Sequence, residues 1–272
     1  MESTQETSVE SQISHYTNIL VTEADRIATF IINRPDKLNA LSIETIREIK
    51  EAAVAASNNA NILGVIITGS GNKAFVAGAD IAEFSDFNSD EAEAMSRHGH
   101  DTFTYIENMS KPVLAAINGF ALGGGCELAM ACHIRIAATN ARFGQPEVNL
   151  GLTPGYGGTQ RLERLIGRSK ATELLLTGDM INAEDALRLG MISQLVEPEA
   201  LMEKAVEIMG KIAKKAPLAV AKTLSLINSY YDKTEDGFEA EIAAFAASFG
   251  TNDFKEGVAA FLEKRKAEFK GN

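Results

Sequence analysis

Short apolar runs alternate with helical patterns along the first two thirds of the chain, and this alternation constrains the fold most strongly. Runs rich in β-branched residues at 27–33, 62–68, 113–118 and 134–139 are bounded by glycine, proline or polar residues, which indicates buried strands. After Ser42, Ile43, Ile46 and Ile49 recur at helical spacing. Alternating strands and helices with short connections predict an α/β fold with largely parallel strands and right-handed crossovers.

The pattern changes after Pro198. The segments 199–215, 217–230, 235–249 and 253–268 are rich in Ala, Leu, Ile, Glu and Lys, with no strand-like run between them. We therefore predict a core over residues 18–198 followed by a helical region over 199–272. The first 17 residues are polar, with few apolar side chains to hold them down, and are predicted to form a flexible tail.

The net charge and the N-terminal sequence indicate which partners the chain can have. The formal net charge is −11, which disfavours binding to nucleic acid unless a local basic patch overrides it. The N-terminal sequence MESTQETSVESQISH lacks arginine and an apolar core, and no apolar run approaches the ~20 residues of a membrane span. We expect a cytoplasmic protein that binds neither nucleic acid nor membranes.

Metal and hydrolase motifs are absent from the sequence. Cys126 and Cys132 form no CxxC motif, and His98 and His100, two positions apart, would not share a helical face and have no further ligands nearby, so no metal site is predicted. The sequence also lacks HExxH, GxSxG, Walker A and strand-associated GxGxxG patterns, which removes support for metalloprotease, serine hydrolase and P-loop functions.

Two carboxylates stand out between Lys111 and Leu162. Glu127 lies inside the apolar helical stretch CELAMAC, where an ionised group is costly to bury without a partner. Glu147 follows Pro146 between apolar segments. Taken singly, each has a structural interpretation: Glu127 as a carboxylate stabilised by the dipole of its helix, and Glu147 as a solvated loop residue.

The glycine triplet 123–125 precedes the helix that contains Glu127. Glycines let a backbone approach a ligand closely, and a helix that begins there directs free N–H groups at it. Backbone donors beside a carboxylate indicate oxyanion chemistry. A second loop of small residues, AFVAGAD at 74–80, could supply another N–H group or could be a tight turn only.

Five segments together resemble the crotonase, or enoyl-CoA hydratase/isomerase, superfamily. They are NRPDKLNALS at 33–42, AFVAGADI at 74–81, INGFALGGGCELAMAC at 117–132, FGQPEVNLGLTPGYGGTQRL at 143–162 and EGVAAFLEKRKAEF at 256–269. The resemblance implies a crotonase-like spiral of ββα repeats, C-terminal helices used for trimerisation, and a homohexamer built as a dimer of trimers. The alternation of strands and helices does not by itself distinguish this spiral from a doubly wound sheet.

The same resemblance implies an enoyl-CoA hydratase, a lyase that adds water reversibly and syn to a 2-trans-enoyl-CoA to give a 3-hydroxyacyl-CoA. Glu127 and Glu147 would be the catalytic base and acid, and the backbone N–H groups of Ala79 and Gly124 would form the oxyanion hole. An enoyl-CoA isomerase of the same fold is the nearest alternative. It commonly needs only the carboxylate at Glu147, so retention of Glu127 favours the hydratase.

The resemblance also implies where the acyl-CoA thioester binds. Coenzyme A would be part of the substrate, and no separate cofactor is expected. The implied binding residues are Lys37, Leu38, Ala40, Ala77, Asp80 and Ile81, with Gly155 positioning the water.

Two departures from the family pattern leave the acyl preference open. They are Ala82, where many hydratases have lysine, and Tyr156, where a small residue is common. The pathway, fatty-acid β-oxidation or another, also stays open. Some relatives bind RNA, but the helical stretch from Ser42 to Ser57 mixes acidic and basic residues and lacks the basic stripe that phosphate contacts require.

Overall fold

The computed structural model describes residues 16–231, 234 and 236–272. Its strands lie within the first 196 residues and its last four helices follow them. The strands are β1 (Ile19–Ala24), β2 (Ile27–Ile32), β3 (Gly64–Gly69), β4 (Ala74–Ala77), β5 (Val113–Ile117), β6 (Phe120–Leu122), β7 (Ile134–Ala138), β8 (Arg142–Gly144), β9 (Met180–Asn182) and β10 (Gln194–Val196).

The helices alternate with these strands and then continue alone. They are α1 (Ile43–Asn58), α2 (Ser89–Glu107), α3 (Gly124–Ala131), α4 (Gly158–Ile166), α5 (Arg168–Thr177), α6 (Ala183–Arg188), α7 (Leu201–Ile212), α8 (Pro217–Ser229), α9 (Gly237–Ser248) and α10 (Asn252–Glu263). Short 3-10 turns cover Pro35–Lys37, Ile81–Glu83, Pro146–Leu150 and Pro198–Ala200.

The larger sheet has the strand order β1-β2-β3-β5-β7-β10. Strand β1 pairs antiparallel with β2, and the following pairs from β2 to β10 are parallel. Every residue of β3 and β5 is buried, which is why these runs are continuously apolar rather than alternating. The predicted α/β fold with largely parallel strands is confirmed.

A second sheet, in the order β4-β6-β8-β9, is built from strands of three or four residues. Strands β4, β6 and β8 each follow a strand of the larger sheet and each precede a helix. Three successive ββα units result, so the spiral implied by the resemblance is confirmed. The prediction of a loop over 74–80 was wrong for Ala74–Ala77, because a strand this short shows no periodicity.

Helix α1 illustrates how local sequence sets an element. The Ser42 side chain accepts a hydrogen bond from the Thr45 N–H and begins the helix. Ile46 and Ile49 are buried, whereas Ile43 is 41% exposed. The stretch that forms α2 was not identified from the sequence, since its first two turns are almost wholly exposed and only its second half contributes buried residues.

Helix α7 packs on the face of the larger sheet that is opposite to α1. Its residues Leu201, Ala205 and Met209 share a core cluster with Ile66 and Leu114. The helical patterns predicted after Pro198 are confirmed as α7 to α10, although α10 ends at Glu263 rather than near 268. The division of the chain at residue 198 stays a prediction.

The N-terminal part of the chain is described from Tyr16. The predicted tail at 1–17 lies outside the described residues, apart from its last two. The backbone N–H groups of Thr17 and Asn18 donate to the buried carboxylate of Glu48, at 2.6 and 2.8 Å. Within the described ranges, no helix is long and apolar enough to cross a membrane.

Candidate active site

A cavity of about 360 Å³ lies where β4 and β6 end, beside the start of α3, the first half of α2 and the loop 146–156. The predicted site residues that line it are Ala77, Ala79, Ile81, Gly124, Glu127, Glu147 and Gly155. The remaining ones, Lys37, Leu38, Ala40 and Asp80, lie outside the cavity lining.

Tight glycine packing places Glu127 at this cavity. Gly123 has φ +48°, a backbone conformation that side-chain-bearing residues rarely adopt. A Cβ atom at Gly125 would overlap the Val76 carbonyl oxygen. These contacts bring α3 against β4, so that Glu127, in the first turns of α3, enters the cavity wall with only 1% of its surface exposed.

The Glu127 carboxylate is held by backbone donors. Its Oε1 accepts hydrogen bonds from the N–H groups of Tyr156, at 2.8 Å, and Gly158, at 2.7 Å. Gly158 is the first residue of α4, so the carboxylate also lies at the positive end of a helix dipole. One oxygen is thereby fixed and the orientation of the carboxyl group is set.

Burial and hydrogen bonding act in opposite directions on Glu127. Burial raises its pKa most strongly, the N–H groups of Gly158 and Tyr156 lower it, the charge of Glu147 raises it and the charge of Arg161 lowers it, so that the pKa is raised overall to about 7. The group therefore titrates near neutral pH, where a carboxyl is useful for proton transfer.

Glu147 lies on the 3-10 turn Pro146–Leu150. It is half-buried, and its Oε2 is buried without a hydrogen-bond partner among the described residues. Burial raises the pKa of this carboxyl as well. Its interpretation as a fully solvated loop residue is therefore wrong, because the turn directs the side chain into the cavity.

Two residues with backbone donors, Ala79 and Gly124, line the same cavity. Ala79 follows Gly78, which has φ +103°, and the flanking peptides are fixed by hydrogen bonds from the Leu41 N–H to the Gly78 carbonyl and from the Asp80 N–H to the Leu41 carbonyl. Gly124 is the first residue of α3, so its N–H has no acceptor within the helix. Neither N–H has a partner in the part of the chain that the structure describes.

The loop 34–41 is fixed beside the cavity. Leu38 and Asn39 both have left-handed backbone angles, with φ 50° and 58°. The Asn39 side-chain amide donates to the carbonyls of Ser70, at 3.0 Å, and Ala74, at 2.8 Å. The Ala77 N–H donates to the Leu38 carbonyl, which joins this loop to β4.

Asp80 is engaged within the protein. The Arg34 guanidinium donates to its carboxylate at 2.8 Å, and this contact lowers the pKa of Asp80. The Arg34–Asp80 ion pair therefore holds the loop that begins at Arg34 against the segment that follows β4. Lys37 is exposed at the end of its 3-10 turn.

Sequence reasoning assigned no role to Arg161, which supports the loop that holds Glu127. Its Nη1 donates to the Tyr156 carbonyl at 2.9 Å, and its Nε and Nη2 donate to Glu107 at 3.1 and 2.8 Å. Arg161 is 6% exposed. In the sequence, Arg161 could have been noticed as part of the GGTQRL segment, whereas nothing pointed to Glu107.

Gln145 was also missed. It is 1% exposed, and its Nε2 donates to the Gly123 carbonyl at 2.9 Å, which supports the first residue of the glycine triplet. The arrangement as a whole can hold a carbonyl oxygen between two fixed N–H groups, next to two carboxyl groups whose pKa values are raised by burial. Such a site is suited to stabilising an enolate and moving protons beside it.

Comparisons with known proteins agree with this chemistry. Residues 22–272 match the model of the enoyl-CoA hydratase/isomerase family. The chain is 49% identical to a crotonyl-CoA hydratase of Syntrophomonas wolfei, over 93% of this chain and 98% of that protein. It is 47% identical to a short-chain-enoyl-CoA hydratase of Clostridium acetobutylicum, over 92% and 97%.

A solved structure has the same fold. The crystal structure of an enoyl-CoA hydratase from Bacillus anthracis superposes with a TM-score of 0.90 at 39% identity, and the match covers 94% of this chain and all of that one.

Proposed function

The chain belongs to the enoyl-CoA hydratase/isomerase family and is an enoyl-CoA hydratase, and from this premise we propose that it hydrates short-chain 2-trans-enoyl-CoA thioesters through Glu127 and Glu147. The observation that carries the proposal is the presence of both carboxyl groups and two unpartnered backbone donors in one cavity. The names of the two relatives above, a crotonyl-CoA hydratase and a short-chain-enoyl-CoA hydratase, support the short acyl chain.

In the proposed reaction the thioester oxygen lies between the N–H groups of Ala79 and Gly124. These donors stabilise the enolate that forms when water adds to the β-carbon, and one such donor typically contributes ~10²–10³ in rate. Because both peptides are already held by neighbouring backbone hydrogen bonds or by helix α3, little reorganisation accompanies the reaction.

The two carboxyl groups divide the proton transfers. Ionised Glu127 takes a proton from the attacking water, and protonated Glu147 delivers one to the α-carbon. The fixed Oε1 of Glu127 supports its role as base, because a carboxylate oriented by two N–H groups can direct its second oxygen at the water. Gly155, in the loop that carries the Tyr156 donor, would position that water.

Binding of coenzyme A is proposed for the loop beside the cavity. Leu38, Ala40, Ala77 and Ile81 would contact it and the Lys37 ammonium would lie near a phosphate. Asp80 would act indirectly, since Arg34 already occupies its carboxylate.

A homohexamer and a cytoplasmic location belong to the same proposal. Large apolar side chains exposed on the last two helices support an assembly surface. They include Phe238, Phe245 and Phe261, which are 84%, 68% and 83% exposed.

The rate should depend on pH in a bell-shaped manner. Below about pH 7 the proposed base becomes protonated, because burial raises the pKa of Glu127 to about 7, and kcat/KM should fall. Above the pKa of Glu147, which burial raises, the proposed acid loses its proton and kcat/KM should fall again, and the two limbs of the profile belong to the coupled pair of carboxyl groups. A profile measured with crotonyl-CoA that stays flat from about pH 5 to pH 8 would contradict this assignment.

The proposal is tested by following the conjugated-enoyl absorbance of crotonyl-CoA after mixing with the protein. Rapid loss of absorbance and formation of 3-hydroxybutyryl-CoA are expected. If the protein leaves 2-enoyl thioesters unchanged but interconverts 3-enoyl and 2-enoyl thioesters in a Glu147-dependent way, the isomerase replaces the hydratase.

A further inference from the structure

The Tyr156 ring forms the inner end of the cavity. Tyr156 lines the cavity yet is only 4% exposed. Other residues of the lining lie at the open rim, since Ile81, Leu150 and Leu152 are 47%, 56% and 46% exposed. A ligand with a large polar portion must leave that portion at the rim, so its inner end approaches the tyrosine.

The ring is seated on a glycine of the neighbouring helix. A Cβ atom at Gly99 on α2 would lie 2.9 Å from the Tyr156 Cγ and closer still to other ring atoms, so any larger residue at 99 would displace the ring. Phe103, one turn further along α2, packs edge-on at 5.6 Å between ring centroids. The ring position is therefore set by the absence of a side chain at Gly99 and by contact with Phe103.

The same ring lies directly beside the reacting groups. A Cβ atom at Gly124 would be 3.2 Å from the Tyr156 Cδ2, and the Tyr156 N–H donates to Glu127. Acyl carbons beyond the double bond that extended inward would therefore enter the volume that the ring fills.

We propose that the Tyr156 ring, seated on Gly99, closes the acyl pocket and restricts the enzyme to short 2-enoyl chains. This inference rests on the proposed function and names the residue pair that selects the substrate. Ring volume rather than the hydroxyl group is the determinant. Burial raises the pKa of Tyr156 to about 12, so the phenol stays neutral and offers no charge for recognition.

The test compares kcat/KM for 2-trans-decenoyl-CoA and crotonyl-CoA in the wild type, Tyr156→Ala and Tyr156→Phe. The decenoyl-to-crotonyl ratio should rise at least about tenfold in Tyr156→Ala, since removal of the ring admits several methylene groups. It should stay at the wild-type value in Tyr156→Phe, which keeps the ring. An unchanged ratio in Tyr156→Ala, or an equal rise in Tyr156→Phe, would overturn the proposal.

Two further variants separate pocket volume from folding. Tyr156→Leu keeps more packing than alanine and should shift the ratio in the same direction. Adding Gly99→Leu to Tyr156→Ala refills the space from α2 and should restore the wild-type ratio, which a general loosening of the site would not allow. If the double variant Gly99→Leu, Tyr156→Ala keeps the raised decenoyl-to-crotonyl ratio, the pocket is not closed at this position.

The wild-type measurements distinguish a failure of the Tyr156 proposal from a failure of the proposed function. A wild type that hydrates neither thioester would refute the short-chain hydratase itself. A wild type that hydrates crotonyl-CoA, together with an unmoved ratio in Tyr156→Ala and Tyr156→Leu, would refute only the role of Tyr156.

Discussion

Replacement of Glu127 or Glu147 by glutamine is expected to reduce kcat for crotonyl-CoA hydration by about 10³ or more, while the protein stays folded. General acid and base catalysis contribute ~10²–10⁴ each, and an amide can neither take nor deliver the proton. Glutamine preserves shape, and its amide oxygen can still accept from the Tyr156 and Gly158 N–H groups that bind Glu127. The loss should therefore be chemical rather than structural.

The measurement is kcat and KM from the enoyl absorbance, with thermal unfolding followed for each variant. Glu163→Gln, an exposed glutamate on α4, is the matched control and should behave as the wild type. If either catalytic variant retained more than about a tenth of the wild-type kcat, that glutamate would not carry a proton in the reaction.

Replacement of Arg161 by methionine is expected to lower both stability and activity. The guanidinium is 6% exposed and joins Glu107 to the Tyr156 carbonyl. Removing Arg161 leaves the Glu107 carboxylate, which is 26% exposed, with only its longer contact to Arg164 at 3.5 Å, and we expect a cost of about 3 kcal/mol of unfolding free energy, the lower end of the range for buried pairs. The loop that holds Glu127 would also lose the hydrogen bond from Arg161 to the Tyr156 carbonyl, so kcat should fall by about 10²-fold because the base is misplaced.

Arg164→Met provides the comparison for this variant. Arg164 also pairs with Glu107, at 3.5 Å, but its side chain is 36% exposed, so its loss should cost less than about 1 kcal/mol. Urea unfolding curves and kcat values for the two variants test the difference. Equal destabilisation by the two substitutions would show that burial does not determine how much Arg161 contributes to the free energy of unfolding.

The sequence indicated four of the six strands of the larger sheet, β2, β3, β5 and β7, but missed its edge strands β1 and β10 and gave little sign of the smaller sheet. Strands such as β3 and β5 are buried on both faces, and burial of this kind appears in the sequence as a continuous apolar run. Strands β6, β8 and β9 have three residues each, too few for any period to be visible. Only the resemblance to the family indicated that such strands would form a spiral.

The site was predictable where its residues belong to sequence motifs. Glu127 was recognisable as a charge in an apolar helix, and the glycine triplet indicated backbone donors. The pairs Arg161–Glu107 and Tyr156–Gly99 were not predictable, because each joins residues more than 50 positions apart through contacts that only the folded chain creates. Neither pair leaves a local pattern in the sequence.

The left-handed turn at Leu38 and Asn39 has a consequence for the energetics of ligand binding. Such backbone angles cost ~1–3 kcal/mol at each non-glycine residue and persist only where surrounding contacts hold them, here the Asn39 bonds to Ser70 and Ala74. Folding therefore orders this loop before any thioester arrives. For the proposed binding of coenzyme A at this loop, little conformational entropy remains to be lost on association, so changes in affinity should appear mainly in how fast the thioester leaves.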